Sequence, residues 1–379
     1  MALRQSFARI QSVAARRVLV RNFSIAPHAA DKFVVDFPEE HDGLNIEFNW
    51  SLAQDDVTPH GDAFRNLSWP KLEALAKLEK PAGKRVAIEE VDVNIIFNDF
   101  EGLYEKVTEH LSTEPNLYTQ DGAVGSYKED RTRVRIISDS PLVALFAQSL
   151  LVRVPIKDPH AARPIVVYVA TRGEFKQQKP QAQLLMDTDD EGTTFIKVVI
   201  TGAADLATIK DAVGLAKKKL LEVEASESLI VPADVIVKDN KTALVFNASS
   251  AGRAAAISNG QLYSAHLNIW NPVGVTSMYG GAIITSSSKV SKKHMVPVEN
   301  GVSVYVPCHN LVEHPKAAVF VDHTSHGVKS ISTAELTALL KKSDADLNME
   351  KFEALLNKAH TKSFVVSSDA DAAAALAKV

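Results

Sequence analysis

The stretch Leu244-Val245-Phe246-Asn247-Ala248-Ser249-Ser250-Ala251-Gly252-Arg253-Ala254 runs a hydrophobic strand pattern into a loop of small residues and on to Ala254-Ala255-Ala256, a favourable helix start. That is the shape of a phosphate-binding loop. Such a loop needs glycines that let backbone N–H groups curl around phosphate oxygens, a lysine that reaches the outer phosphates, and a hydroxyl that ligates Mg²⁺. Here Asn247 stands at the first glycine position and Gly252 is kept. Arg253 replaces the lysine with a broader, more rigid cation, and Ala254 replaces the hydroxyl. Asn247, Ser249, Ser250, Gly252 and Arg253 are therefore read as a degenerate anion site. Four histidines, His309, His314, His323 and His326, raise the question of zinc, and Cys308 beside His309 that of a nucleophile. Surface histidines and a small buried thiol are the plainer readings. Lys217-Lys218-Lys219 reads as a solvated helix end, and Lys289-Val290-Ser291-Lys292-Lys293 as a loop.

The chain has 379 residues, 46% hydrophobic and 23% charged, with a net charge of −4 and one cysteine. It is long enough for two lobes, and a single cysteine excludes an internal disulfide framework. No apolar run reaches membrane-spanning length. The first thirty residues carry Arg4, Arg9, Arg16, Arg17 and Arg21 and no acid, with Leu3, Phe7, Ile10, Ala14 and Val18 at helical spacing. This composition predicts a mitochondrial transit peptide, and Arg21-Asn22-Phe23-Ser24 looks like its processing site. Without those arginines the net charge falls from −4 to about −9, which argues against nucleic acid as a partner.

Helices are expected over Leu72–Leu78, Phe100–Leu111, Pro141–Leu151, Thr208–Leu221 and Thr333–Leu340, the last with Ser332 or Thr333 as N-cap. Strands are expected over Val134–Ile137, Ile165–Ala170 and Phe195–Ile200. From residue 230 onward short β-prone runs alternate with turns: Val235–Val237, Ala243–Phe246, Ala282–Thr285, Val302–Val306 and Ala317–Val321. Trp50 and Trp69 are read as packing residues. Ser367–Val379, rich in Ala and Asp, reads as a helix or frayed tail.

A collinear series of short segments resembles the ATP-type phosphoenolpyruvate carboxykinases over roughly residues 92 to 340. Val93-Asn94-Ile95, Leu103-Tyr104-Glu105-Lys106-Val107 and Leu117-Tyr118-Thr119-Gln120-Asp121-Gly122 are similar to the family's N-terminal domain. Arg133–Ser138 with Ala144–Ala147, then Thr194-Phe195-Ile196 and Gly202–Lys210, follow in the family's order, and the phosphate-loop segment comes next. Trp270, Gly274-Val275, Gly280-Gly281, His314–Phe320 and Gly327-Val328 continue it. The resemblance implies an α/β fold, with an N-terminal α/β domain and a mixed α/β lobe carrying the phosphate loop.

The resemblance also implies losses. The family's Lys-Lys pair reads Lys210-Asp211, so the substrate lysine survives and the metal lysine does not. The implied metal-ligand histidine falls on Val231. The acids expected before Trp270 are absent from Ala265-His266-Leu267-Asn268-Ile269. The Arg-Ser-Pro substrate motif is not visible, although Arg65 and Arg85 lie nearby, and the C-terminal lobe is expected to be truncated.

These readings divide the chain into a transit peptide (1–30), a carboxykinase-like domain (31–230), a truncated nucleotide lobe (231–345) and a helical or frayed tail (346–379). They predict a non-catalytic mitochondrial pseudoenzyme with no catalytic residue, no cofactor and no metal. Its vestigial nucleotide-binding residues are those of the 247–253 loop, and Lys210 is a vestigial substrate-binding residue. The expected setting is an accessory subunit of an inner-membrane assembly such as ATP synthase or a respiratory complex, with other protein subunits as partners, no nucleic acid and no membrane span. A divergent carboxykinase or other phosphotransferase using Arg253 and Lys210 is the alternative, and nucleotide sensing without catalysis is a third.

Overall fold

The computed structural model describes residues 52–77, 79, 83–92, 99–153, 162–188, 192–224, 226–285, 295–298, 301–307, 311–343 and 347–379. The arginine-rich leader, Trp50, Val93–Ile95, Cys308, His309 and the Lys289–Lys293 run lie outside the described residues.

The first half contributes β1 (Asp62–Arg65), α1 (Trp69–Ala76), β2 (Glu89–Val91), α2 (Phe100–Thr113), β3 (Asn116–Val124), β4 (Thr132–Ser138), α3 (Pro141–Leu150), β5 (Ala162–Ala170), β6 (Gln181–Thr188), β7 (Thr194–Thr201) and α4 (Leu206–Val223). Its strands form one mixed seven-stranded sheet in the order β1-β3-β4-β5-β7-β6-β2. The central run β4-β5-β7 is parallel. Parallel strands must be covered on both faces, which is why Ile165–Ala170 reads as a continuous apolar run. α3 and α4 cover one face, through Leu142, Phe146, Ile209, Val213 and Leu220. α2 covers the other, with Phe100, Val107 and Leu111 against Val166 and Tyr168.

An ion cluster is buried on the α2 side. Arg135, fully buried in β4, donates from Nε to Asp121 Oδ1 (2.7 Å) and through its NH groups to Asp121 Oδ2 and Asp55 Oδ2 (both 2.8 Å). Arg65 Nε meets Asp121 Oδ2 at 2.6 Å. The Asp121 N–H donates to Asn66 Oδ1 at 2.7 Å, with Asn66 in the left-handed region at φ 50°. Burial alone would raise the Asp121 carboxyl, but Arg135 and Arg65 hold it below the ordinary carboxylate range. Arg65, weighed above as a substrate arginine, is thus part of the packing that joins β1, β3 and β4. Lys217 corrects a second expectation. It is not a solvated helix end: it is buried, and its Nζ donates to Thr132 Oγ1 at 2.8 Å, tying α4 to β4.

The second half contributes β8 (Leu229–Pro232), β9 (Asp234–Lys238), β10 (Lys241–Phe246), α5 (Ser250–Ser258), β11 (Leu262–Ser264), β12 (Leu267–Asn271), β13 (Gly274–Ser277), β14 (Gly281–Thr285), β15 (Met295–Val298), β16 (Gly301–Pro307), β17 (Leu311–Val312), β18 (Ala317–Val321), β19 (Val328–Ile331), α6 (Thr333–Ser343), α7 (Met349–Lys358), β20 (Lys362–Val366) and α8 (Asp369–Ala375). A six-stranded sheet runs β11-β9-β10-β18-β20-β19, beside a four-stranded sheet β17-β13-β12-β8 and a three-stranded sheet β14-β16-β15. β10, β18 and β20 are parallel. Leu244, Phe246, Ala318, Phe320 and Val365 face one side, toward Trp270, Leu336, Phe352 and Leu356. Ala243, Val245, Val319, Phe364 and Val366 face the other, toward Ala372, Ala375 and Leu376 of α8 and the residue after it. Ser332 and Glu335 form a reciprocal capping box at α6: the Ser332 N–H reaches Glu335 Oε2 at 2.8 Å, and the Glu335 N–H reaches Ser332 Oγ at 3.2 Å.

The last residues differ from expectation. Residues 346–379 are not only helix or frayed tail, because they supply β20, an interior strand. Pattern reading fails there because Lys362–Val366 is a single short run of mixed polarity whose pairing partner lies far away in sequence. The described residues form an α/β protein, and no helix among them is long and apolar enough to cross a membrane.

Two outcomes follow. Arg135→Met leaves Asp121 and Asp55 as buried carboxylates without their main cation, so the variant should lose about 3–5 kcal/mol of stability in urea titrations. Deleting residues 360–379 removes β20 and separates β19 from β18, so amide exchange should show the β9-β10-β18 region unprotected while β4-β5-β7 stays protected.

Candidate functional site

β10 delivers the 247–253 segment to the carboxyl edge of the six-stranded sheet. Asn247 leaves the strand at φ 58°, a left-handed conformation that asparagine adopts more readily than most residues. Its Nδ2 donates to Val321 O (2.9 Å), fixing the loop to the end of β18. Ser249 is the N-cap of α5, with extended backbone and its Oγ accepting from the Gly252 N–H (3.0 Å). Ser250 begins the helix and is exposed. The local geometry is that of a helix N-terminus opened by a small-residue loop. Four of the five residues read from sequence, Asn247, Ser249, Gly252 and Arg253, bond within the fold.

Asp369, from the start of α8, occupies the mouth of this loop. The Ser249 N–H donates to Asp369 Oδ1 (3.0 Å) and the Ser249 hydroxyl to Asp369 Oδ2 (2.6 Å). A Cβ on Gly252 would lie 2.1 Å from Asp369 Cγ, so the close approach requires glycine there. A cavity of about 250 Å³ adjoins the loop, with Arg253, Asp234, Lys238, Gly252 and Asp369 among its lining residues.

Arg253 turns back toward β9, its Nε donating to Asp234 Oδ2 at 2.7 Å. The other oxygen of Asp234 accepts the His266 N–H at 2.9 Å. Asp234 is buried, and burial raises its carboxyl despite the neighbouring Arg253. A second charged group sits across from it on α4. Asp205 caps that helix through the Thr208 N–H (2.8 Å). Lys210 follows one turn later, and Tyr279 donates from its hydroxyl to Lys210 O (2.8 Å). The Lys210 ammonium lies 5.8 Å from the Tyr279 ring centre. Gly214 makes room for that ring, since a Cβ there would stand 2.8 Å from the tyrosine oxygen. Asp211 is paired with Arg85, with contacts of 2.7 and 2.8 Å. Burial pushes Lys210 down to about 8, with Arg253 and Arg85 acting in the same direction and Asp211 and Asp234 against it. Arg85, Lys210, Arg253, Asp211 and Asp234 therefore form one field of three cations and two anions, drawn from both halves of the chain.

The divalent cation implied by the resemblance does not fit these residues. Val231 is fully buried in β8, opposite Asn268, and packs in the core. Ala254 is buried on the inner side of α5. Asp211 and Asp234 are each engaged by an arginine. Among the described residues no three His, Cys, Asp or Glu side chains are grouped so as to hold a metal ion. Two of the histidines weighed for zinc, His314 and His323, have hydrogen-bond partners in the fold. His314 accepts from Trp270 Nε1 at Nδ1 (3.1 Å) and reaches Pro272 O through Nε2 (3.1 Å), which sets a neutral Nε2–H tautomer. His323 Nδ1 lies 3.2 Å from Ser367 O.

Asp369 and Asp234 were not singled out in the sequence. Asp369 lies beyond the segments that carry the resemblance, in an Ala- and Asp-rich run with no motif. Asp234 follows the apolar run Leu229–Ala233, where nothing marks it as the partner of a residue nineteen positions on.

The phosphoenolpyruvate carboxykinase family model matches residues 78–297, which include Lys210 and the whole phosphate-loop segment. Three curated relatives are similar. The phosphoenolpyruvate carboxykinase (ATP) of Staphylococcus haemolyticus is 23% identical over 239 residues, covering 60% of this chain and 43% of the relative. Phosphoenolpyruvate carboxykinase (ATP) 2 of Salinibacter ruber is 25% identical over 248 residues, 62% of this chain and 45% of the relative. The Thermus thermophilus protein of the same activity name is 25% identical over 189 residues, 48% and 35% of the two chains. The chain thus spans less than half the length of the relatives it matches. The expectation of a protein that is not an enzyme is corrected by these matches, since the relatives are named for an ATP-dependent carboxykinase activity. With more than half of its residues inside the family model, the chain belongs to the ATP-type phosphoenolpyruvate carboxykinase family.

Proposed function

We propose that this protein is a divergent carboxykinase-type phosphotransferase of the mitochondrial matrix, holding the phosphates of a nucleotide at the 247–253 loop and a small carboxylate or phosphate anion beside Lys210. The observation that carries the reading is the half-buried Lys210 side chain, on a helix turn held by the Tyr279 hydroxyl (2.8 Å) and facing the charges of Arg253, Asp234, Asp211 and Arg85, where desolvation pushes its ammonium down to about 8. A desolvated ammonium holds an anion more strongly than a solvated one, and phosphoryl transfer depends mainly on positioning and on neutralising charge over the transferred group. Arg253 stands where a phosphate-loop lysine would stand. On exchanging Asp234 for a phosphate oxygen, its planar fork gives two parallel donors. Arg85 releases Asp211 in the same way. Tyr279 and Gly214 hold the Lys210 turn in place, so the amine does not have to be ordered when the anion arrives.

The mitochondrial setting rests on the arginine-rich leader, and a role in an inner-membrane assembly such as ATP synthase or a respiratory complex rests on that targeting alone. Residues 1–30 fused to a fluorescent protein should enter mitochondria, and replacing the five arginines with glutamine should leave the fusion outside. On native gels, co-migration with such a complex supports the assembly role, and migration as a free monomer removes it.

ATP titrated into the full chain should give saturable heat, and Arg253→Ala should abolish it. Affinity for oxaloacetate, the small carboxylate placed beside Lys210, should fall as pH rises through about 8, because the Lys210 cation is lost there. Lys210→Arg, which stays charged, should remove that pH dependence. ATP-dependent decarboxylation of oxaloacetate is the matching activity assay. An absence of ATP heat in the native chain and in variants with an opened loop would sink the reading.

A further inference from the structure

We infer that the anion site of the 247–253 loop carries an internal ligand, the Asp369 carboxylate, so that α8 is a displaceable plug competing with any phosphate-bearing ligand for the loop. The inference rests on the phosphate-binding reading of that loop and adds its regulation.

The contacts are those a phosphate oxygen pair would make. A helix N-terminus presents unpaired N–H groups and the positive end of its dipole, and a carboxylate or phosphate satisfies both. At α5 the occupant is Asp369, with one oxygen on the Ser249 N–H (3.0 Å) and the other on the Ser249 hydroxyl (2.6 Å). It rests directly on Gly252, at a point where no side chain would fit. An anion entering the loop from solvent meets this carboxylate both as an obstacle and as a like charge.

Asp369 is not needed to start its own helix. Asp371 accepts from both Ser367 Oγ (2.8 Å) and Ser368 Oγ (2.7 Å). The serines before the helix therefore bond a different acid, and Asp369 is directed 120 positions back along the chain to Ser249.

The plug has few large anchors. α8 has seven residues, and its buried apolar contacts come from Ala372, Ala375 and the following Leu376, with Val379 partly buried beside them. Alanines bury little area, so the attachment rests on Leu376, Val379, the Asp369 carboxylate and the bonds of Lys241 Nζ to Val379 O (2.5 Å) and Lys378 Nζ to Val328 O (2.9 Å). β20, immediately before it, is held by ladders on both edges. Release of α8 therefore does not require the sheet to open, and the hinge lies at Ser367-Ser368. The adjoining cavity of about 250 Å³, lined by Ala372 and Ala373 as well as Arg253, becomes continuous with the loop when the helix leaves.

The test uses the full chain, the near-isosteric Asp369→Asn variant and Asp369→Ala, with ATP as the probe and thermal melts to confirm folding. Loss of one charge-assisted contact and its like-charge repulsion should tighten ATP binding by about tenfold or more in both variants. Without ATP, the Ser249 amide should exchange faster in both variants than in the native chain. Equal ATP affinity in native and variant chains, with the Arg253 dependence intact, overturns the plug and leaves the nucleotide site standing. No ATP binding by any of the three rejects the plug and the nucleotide site together.

Discussion

A parallel strand in the middle of a sheet has two apolar faces and no solvent side, and that constraint organises the second half of this protein. β10, β18 and β20 lie side by side and parallel, with alternate residues buried above and below. One face is closed by α6 and α7 through Leu336, Leu340, Phe352 and Leu356, with Trp270 from the neighbouring sheet. The other is closed by α8 together with α5. The position of α8 follows from this need for cover, and the position of Asp369 follows from α8. The loop and the carboxylate that fills it are thus joined by the packing rule that also makes the sheet.

The same rule explains what could be read from the residues alone. Ile165–Ala170 and Ala317–Val321 are continuous apolar runs bounded by turns, Phe195–Ile200 is one interrupted only by Lys197, and each lies in a strand. Pro141–Leu150 and the Thr208–Leu221 pattern are helices because their apolar periods match the face they bury. β20 escaped notice because five residues carry too little period to separate a strand from a helix end. Lys217 escaped because its position in a run of three lysines suggests water, whereas the 3.6-residue repeat points it at β4. Helical phase is a better guide than charge for such a residue.

The site was legible in a different way. Loop residues 247–253 could be read from the order strand, small residues, helix. Lys210 came only with the family resemblance, because a lysine in the second turn of a helix says nothing by itself. What links the two, the field of Arg85, Asp211, Lys210, Asp234 and Arg253, is a product of long-range placement. Arg85 and Asp211 are 126 positions apart and meet because Lys84 bridges to Ala204 beside the N-terminus of α4. The replacements at Val231 and Ala254 become intelligible once their burial is seen: both side chains belong to the packing of the second half, so a polar ligand at either position would have to leave a core.

The placement of β20 between β18 and β19 bears on how the molecule comes into being. As the chain leaves the ribosome, β18 emerges with one edge paired to β10 and the other bare. Its partner, Lys362–Val366, follows only after α6 and α7 have been made. Until then a flat row of open donors and acceptors flanks Ala-Ala-Val-Phe-Val, an arrangement that invites pairing with other chains. The nascent protein therefore passes through a window in which the edge of this apolar strand stands open, and the arrival of β20 is what closes it.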